Sequence, residues 1–271
     1  MKKTIKQLIS VLYRYKQVIN WEREAKAEKN KIQYDSEISQ TINGRCLILI
    51  PHSDDEWIGC SRIIQSDNEV VLCNMDMSGN DMVSLHNERR EEMTRVANFF
   101  NREFITIEEN KSENLCETIR KVKPDFIFLP HFIDWHPEHI AVMHYLSKAI
   151  ELLDITEMNF QVVTYQVSCP IVKGITHALP MSKKAWKYKW DFFKHHYPSQ
   201  LQIPYQRFSI NETINGVPIR AFAAEVFCVS SSDEWKLRTQ KDIPSPEQII
   251  ALKSNLGSIS SMREYIRKEY K

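Results

Sequence analysis

From residue 45 onward, short unbroken apolar runs alternate with longer amphipathic stretches. Cys46-Leu47-Ile48-Leu49-Ile50 closes on Pro51, and a run with no polar interruption suits a strand covered on both faces. Four more runs follow: Val70-Val71-Leu72-Cys73, Phe104-Ile105-Thr106-Ile107, Phe126-Ile127-Phe128-Leu129 and Val162-Val163-Thr164-Tyr165. Helical patterns separate them, near 57–66, 84–100, 112–122 and 137–153. Strands alternating with helices predict βαβ units on a parallel sheet, hence a doubly wound α/β fold with helices on both faces. The expected strand order is 3-2-1-4-5. After residue 168 the pattern is less regular: a helix near 183–196, a hairpin around Asn215-Gly216, a strand over 221–229 and helix again over 245–269.

Residues 1–33 read as one helical segment. Ile5, Leu8, Ile9, Leu12 and Ile19 recur at helical spacing among Lys2, Lys3, Lys6, Arg14 and Lys16. Beyond Trp21 the segment is almost wholly charged. Such a helix suits packing on the body or across a homo-oligomer. The second reading is a basic amphipathic helix in peripheral contact with an anionic membrane.

Composition narrows the classes. The chain has 36 Lys+Arg against 35 Asp+Glu, a formal charge of +1, so no general nucleic-acid binder is indicated. It has 6 glycines and neither a G-x-G-x-x-G nor a P-loop pattern, which argues against a phosphate loop. Cys46, Cys60, Cys73, Cys116, Cys169 and Cys228 form no C-x-x-C pair, and four lie in apolar runs, so they read as buried free thiols. No stretch approaches the ~20 apolar residues of a membrane span, and no signal peptide is legible. A cytoplasmic setting is the expectation.

Two polar clusters stand out. Pro51-His52-Ser53-Asp54-Asp55-Glu56 follows the first strand, and Asp134-Trp135-His136-Pro137-Glu138-His139 follows the fourth. In an open α/β sheet ligands bind beyond the carboxyl ends of the strands where the order reverses, which in order 3-2-1-4-5 is between strands one and four. His52, Asp54, Asp55, His136 and His139 would then meet in one crevice. Histidine and carboxylate donors without thiolates suit a catalytic Zn²⁺ site. Asp54-Asp55-Glu56 would also serve as a helix cap, and a single histidine of the second cluster as a surface residue.

Together, P-H-S-D-D-E and H-P-E-H resemble the motifs of the PIG-L/LmbE-like deacetylases, metal-dependent amidases that remove acetyl groups from N-acetylglucosaminyl compounds. The resemblance implies a Rossmann-like α/β domain over 44–235, with a helical extension over 1–43 and a helical tail over 236–271. By position it makes His52, Asp55 and His139 the metal ligands, for Zn²⁺ or another divalent ion such as Fe²⁺. Asp54 becomes the general base and His136 the group that polarises the carbonyl or acts as general acid. Arg89 and Glu92 match an R-x-x-E pattern, Tyr197-Pro198-Ser199-Gln200 a Y-x-S-Q segment and Ala224-Glu225-Val226-Phe227 an A-E-x-F ending. Ser53 stands where the family has Pro, and Glu138 where it has Asp. Glu138 is expected to orient His136, with Asp134 a further partner of the site.

The implied function is removal of an N-acetyl group from a small amino-sugar compound. A related amidase acting on a non-sugar amide or thiol conjugate, and a metal- or sugar-binding homologue without turnover, are the other readings. Trp135 and the His195-His196-Tyr197 segment are candidate substrate contacts, His131 a candidate crevice residue, and Trp57 packing for the first sheet-side helix.

Overall fold

The computed structural model describes residues 2–34, 37–77 and 83–270, with the backbone alone at 2–11 and 155. The elements run α1 (Lys2–Lys29), β1 (Cys46–Ile50), α2 (Asp55–Ile64), β2 (Val70–Asn74), α3 (Val83–Phe99), β3 (Glu103–Thr106), α4 (Lys111–Val122), β4 (Phe126–Pro130), α5 (Pro137–Glu151), β5 (Gln161–Tyr165), β6 (His177–Met181), α6 (Lys183–His196), α7 (Tyr205–Asn215), β7 (Ala223–Ser231), α8 (Ser232–Lys241), α9 (Pro246–Ser254) and α10 (Ile259–Glu269).

The sheet has seven strands in the order β3-β2-β1-β4-β5-β7-β6. The first five are parallel, as the alternating pattern predicts. The chain then adds β7 antiparallel to β5, and β6 antiparallel to β7. The unbroken run of β1 divides between two cores: Leu47 and Leu49 pack with α4 and α5, while Cys46, Ile48 and Ile50 pack with α2, α3 and α6. All five residues are fully buried, which is why the run carries no polar alternation.

Two expectations differ from the fold. Asn215-Gly216 does not turn a hairpin; it ends α7, and Gly216 has an ordinary helical φ of −70°. Glycine is needed there because a Cβ would stand 2.7 Å from the Ala221 carbonyl and 2.8 Å from the Ala223 backbone. Strand β6, which carries Pro180, is not predicted by the apolar pattern; it sits at the sheet edge, where proline costs no ladder bond.

The predicted stripe of α1 lies mostly on side chains outside the described residues. Leu12 is 59% exposed, and the side chains of Ile5, Leu8 and Ile9 lie outside the described residues. In the later, charged half, Trp21 and Ala25 pack on Ile210, Ile214 and Ile259. Glu24 accepts hydrogen bonds from Ile259 N, Ser260 N and Ser258 Oγ at the start of α10. Buried Glu28 accepts from Arg267 and Lys31. Among the described residues no helix is long and apolar enough to cross a membrane. All six cysteines are buried and free.

Candidate active site

β1 and β4 are hydrogen-bonded neighbours, so the chains leaving their carboxyl ends share one crevice. His52 Nδ1, Asp55 Oδ2 and His139 Nε2 stand 3.2 Å apart in all three pairings. Donors around a tetrahedral ion at Zn–N and Zn–O bond lengths lie roughly 3.3 Å apart, so this triangle has the size of one face of such a site. The histidines His52, His136 and His139 also place one ring nitrogen each within 4.8 Å of one another. The mixed set is the tighter of the two, and it supplies a carboxylate charge to a cation.

Two carboxylates flank His139. Asp134 Oδ2 accepts from its Nδ1 at 2.9 Å, while Asp134 Oδ1 accepts from His136 N at 2.9 Å. One aspartate thus fixes the tautomer of His139, aims its Nε2 at Asp55, and holds the turn before α5. Burial works against a charged His139, but Asp134 and Asp55 outweigh it and hold the ring well above its ordinary pKa. Burial would raise Asp55 too, yet His139 and the hydrogen bonds of His139 and His52 hold it well below the usual carboxylate range. The site therefore calls for a positive charge between its carboxylates.

Glu138 stands between two rings. Its Oε2 lies 2.7 Å from His52 Nε2, the nitrogen turned away from the triangle. The same oxygen is 3.0 Å from His136 Nδ1, but that nitrogen has no hydrogen bond of acceptable geometry among the described residues. The main hydrogen bond of Glu138 is therefore to His52 rather than His136. His136 faces His52 edge-on and stacks on His139. Burial, with the charges of His139 and His52, pushes it down to about 4.

Asp54 caps nothing. It sits at the N-cap of α2 with φ 111°, and its side chain makes no cap bond. A positive φ at a non-glycine residue costs ~1–3 kcal/mol and recurs at functional sites. The local backbone donors are met by its neighbours: Asp55 Oδ2 accepts from His52 N and Glu56 Oε2 from Asp54 N. The Asp54 carboxyl is left for the cavity, 5% exposed. Burial, then the charges of Asp55 and Glu56, push it well above the ordinary carboxylate range.

The weaker sequence matches become braces. Glu92 is fully buried and accepts from Ser53 Oγ at 3.1 Å, Ser199 N at 2.9 Å and Ser199 Oγ at 2.6 Å. Ser53, where the family has Pro, thereby gains a bond that Pro could not make. Tyr197 donates to Glu56 Oε1 at 2.7 Å, and burial pushes Glu56 up to about 7. Within α2 the helix kinks at Cys60. Ile58 O accepts from Lys189 Nζ and Arg62 N donates to Glu225 Oε2, and Lys189 and Glu225 are themselves paired at 2.6 Å. A buried ion pair thus supplies partners for a carbonyl and an amide four residues apart in the helix.

His52, Asp54, Asp55, Arg89, Trp135, His136, Glu138 and His139 line one cavity of about 770 Å³. Glu92 and Asp134 lie buried behind it. Trp57 is packing, stacked on Phe100 and tilted against Phe192. His131 is buried on Thr164, and His196 stacks on Phe192; neither these nor His195 lines the cavity. Sequence reasoning left Glu56 without a role although it lies in the first motif, and it missed Lys189, Arg207 and the contribution of α1. A tryptophan amid the charges of α1 was the available signal.

Residues 47–150 match a family model described as PIG-L: GlcNAc-PI de-N-acetylase. Among solved structures, a conserved protein from Thermus thermophilus is 17% identical with a TM-score of 0.56, the match covering 68% of this chain and 94% of that one. A deacetylase of the teicoplanin biosynthesis pathway is 13% identical with a TM-score of 0.53, over 70% of this chain and 99% of its own. The A40926 pseudoaglycone deacetylase is 14% identical with a TM-score of 0.52, over 69% and 98%.

Proposed function

We propose that this chain, a deacetylase by its PIG-L domain, removes the N-acetyl group of an N-acetylglucosamine-type compound with a divalent cation, zinc, held by His52, Asp55 and His139. The observation that carries the reading is the 3.2 Å donor triangle with the Asp54 carboxyl, which makes no cap bond and faces the cavity, beside it. What the cation supplies when bound is Lewis acidity toward the amide carbonyl and the attacking water.

The residues of the chain do the rest. Asp54 takes a proton from the water as its oxygen adds to the acetamide carbon. His136, held neutral at neutral pH by its burial and then by the charges of His139 and His52, donates a ring N–H to the developing oxyanion. Asp54 then passes the proton to the sugar nitrogen, the C–N bond breaks, and acetate and a free amine leave. Asp134 and Glu138 hold the ligand rings in register, while Glu56 and Glu92 hold the turn that carries Asp54. Trp135 offers a face for the sugar ring.

Residues 44–235 are assigned to the deacetylase domain, with 1–43 and 236–271 as helical additions. The six free thiols fit a reducing compartment, the cytoplasm. The test is metal analysis of the purified protein together with acetate release from N-acetylglucosamine derivatives and from simple aliphatic acetamides. Bound zinc and faster cleavage of the sugars are expected; equal rates on both sets would remove the sugar assignment.

A further inference from the structure

Two serines share one carboxylate oxygen. Glu92 Oε2 accepts from Ser53 Oγ at 3.1 Å and from Ser199 Oγ at 2.6 Å. The residue after each serine, Asp54 in one case and Gln200 in the other, lines the cavity that holds the donor triangle. A second tie lies beside the first, since Tyr197 donates to Glu56 Oε1 at 2.7 Å. The turn that carries Gln200 is therefore fastened at two points to the turn that carries Asp54, and both side chains reach the cavity from neighbouring backbone.

Gln200 is buried, 6% exposed. Its main chain is engaged on both sides: its N donates to Tyr197 O, and its O accepts from Ile203 N. Its side-chain amide carries two N–H donors and one carbonyl acceptor, yet it makes no hydrogen bond among the described residues. The amide atoms keep access to the cavity. Buried polar groups are normally paired, because an amide withdrawn from water without a partner costs free energy. A glutamine held open on a cavity wall finds its partner when a polar molecule fills the cavity.

We infer that Gln200 determines specificity for the sugar: its amide hydrogen-bonds the C3 hydroxyl of the N-acetylglucosaminyl ring, next to the acetamide. This rests on the de-N-acetylase reading, which puts the C2 acetamide at the donor triangle with Asp54 beside it. C1 and C3 flank C2. C1 carries the rest of the substrate, and the cavity continues away from the triangle toward Trp21 and Gly257. That leaves C3 to the wall fastened against Asp54. A hydroxyl both donates and accepts, as an amide does, so each satisfies the other. A ligand without the hydroxyl leaves Gln200 buried and unpaired, which is how such a site rejects it.

The experiment compares the methyl glycoside of N-acetylglucosamine with its 3-deoxy analogue, on the full-length protein. Wild type should favour the 3-hydroxy glycoside in kcat/KM by about tenfold or more, and Gln200→Met should bring the two within about twofold. Gln200→Ala should flatten the preference in the same way. Methionine removes no protein hydrogen bond, so Gln200→Met should melt at or above the wild-type temperature. A glutamine that serves the fold alone would instead lower the melting temperature and leave the preference intact. The same preference in wild type and both variants overturns the assignment. Calorimetric binding of the two glycosides separates this inference from the reaction. If neither is deacetylated, but the 3-hydroxy glycoside binds more tightly to wild type and not to Gln200→Met, Gln200 keeps its role and the deacetylation of these sugars falls. If both are deacetylated and the variants keep the preference, the reaction stands and the role of Gln200 falls. Wild-type binding that is absent, or equal for the two glycosides, also removes it.

Discussion

Glu138 Oε2 lies 2.7 Å from His52 Nε2, on the side of the imidazole opposite Asp55 and His139. Glu138 is the second residue of α5 and His52 follows β1, so this contact spans the crevice between two chain segments. A side chain one methylene shorter would draw the carboxylate back from that nitrogen. Glu138→Asp should therefore weaken divalent-metal affinity by about 10–100-fold, the usual effect of removing a ligand's orienting partner. Titration against a competing chelator measures it, and an unchanged affinity would return Glu138 to a role at His136 alone.

Asp54 and Asp55 are adjacent but differently placed. Asp55 bonds both His52 and His139, whereas Asp54 makes no cap bond and faces the cavity. Asp54→Asn should keep bound metal and lose ~10²–10⁴ in the chemical step. Asp55→Asn should lose metal and activity together, with partial rescue by excess zinc. Single-turnover kinetics with metal analysis distinguish the two. Near-normal turnover in Asp54→Asn would end its assignment as base.

His131 gives the acid side of the stability profile. It is buried with Nδ1 2.8 Å from Thr164 Oγ1, and burial, then the charge of Arg238, pushes it down to about 3. Because the folded-state value is depressed, its contribution is present above pH ~6.5 and is lost as pH falls toward 3. Each pH unit in that window costs up to ~1.4 kcal/mol. Urea unfolding at pH 7 and pH 4.5 should show wild type losing about 2–3 kcal/mol more than His131→Asn. Parallel losses in both proteins would contradict this.

Lys189 holds the kink of α2 together. It is fully buried and donates to Ile58 O, Glu212 and Glu225. Lys189→Met leaves two buried carboxylates without their cation and should cost about 3–5 kcal/mol. Denaturant unfolding reads the loss. A change within about 0.5 kcal/mol would mean that solvent reaches the cluster.

Glu24 caps a helix 234 residues away in sequence, through Ser258 Oγ, Ile259 N and Ser260 N. Glu24→Ala should cost about 1–2 kcal/mol, as the loss of a good cap does, while metal affinity stays unchanged. A drop in metal affinity would show that the packing of α1 on α10 reaches the donor triangle.

The sequence alone determined the five parallel strands and the helices between them. Cys46–Ile50 could be read because a strand buried on both faces must be apolar at every position. His52, Asp54, Asp55, His136 and His139 could be placed in one crevice because two polar clusters directly follow two such runs, and all five line one cavity; the choice of three ligands among them came only from the family resemblance. Their meeting followed from a strand order that βαβ topology makes common. The tertiary structure decided what depends on distant partners. Glu138 turned toward His52 because β1 and β4 are neighbours at their carboxyl ends. Glu92 and Glu225, weak as local motifs, acquired roles only when Ser199 and Lys189 folded against them. The charged half of α1 docked because the amides at the start of α10 needed an acceptor and Glu24 supplied it. Periodicity records which face of an element is buried; it carries no record of which buried polar groups will find each other across the fold.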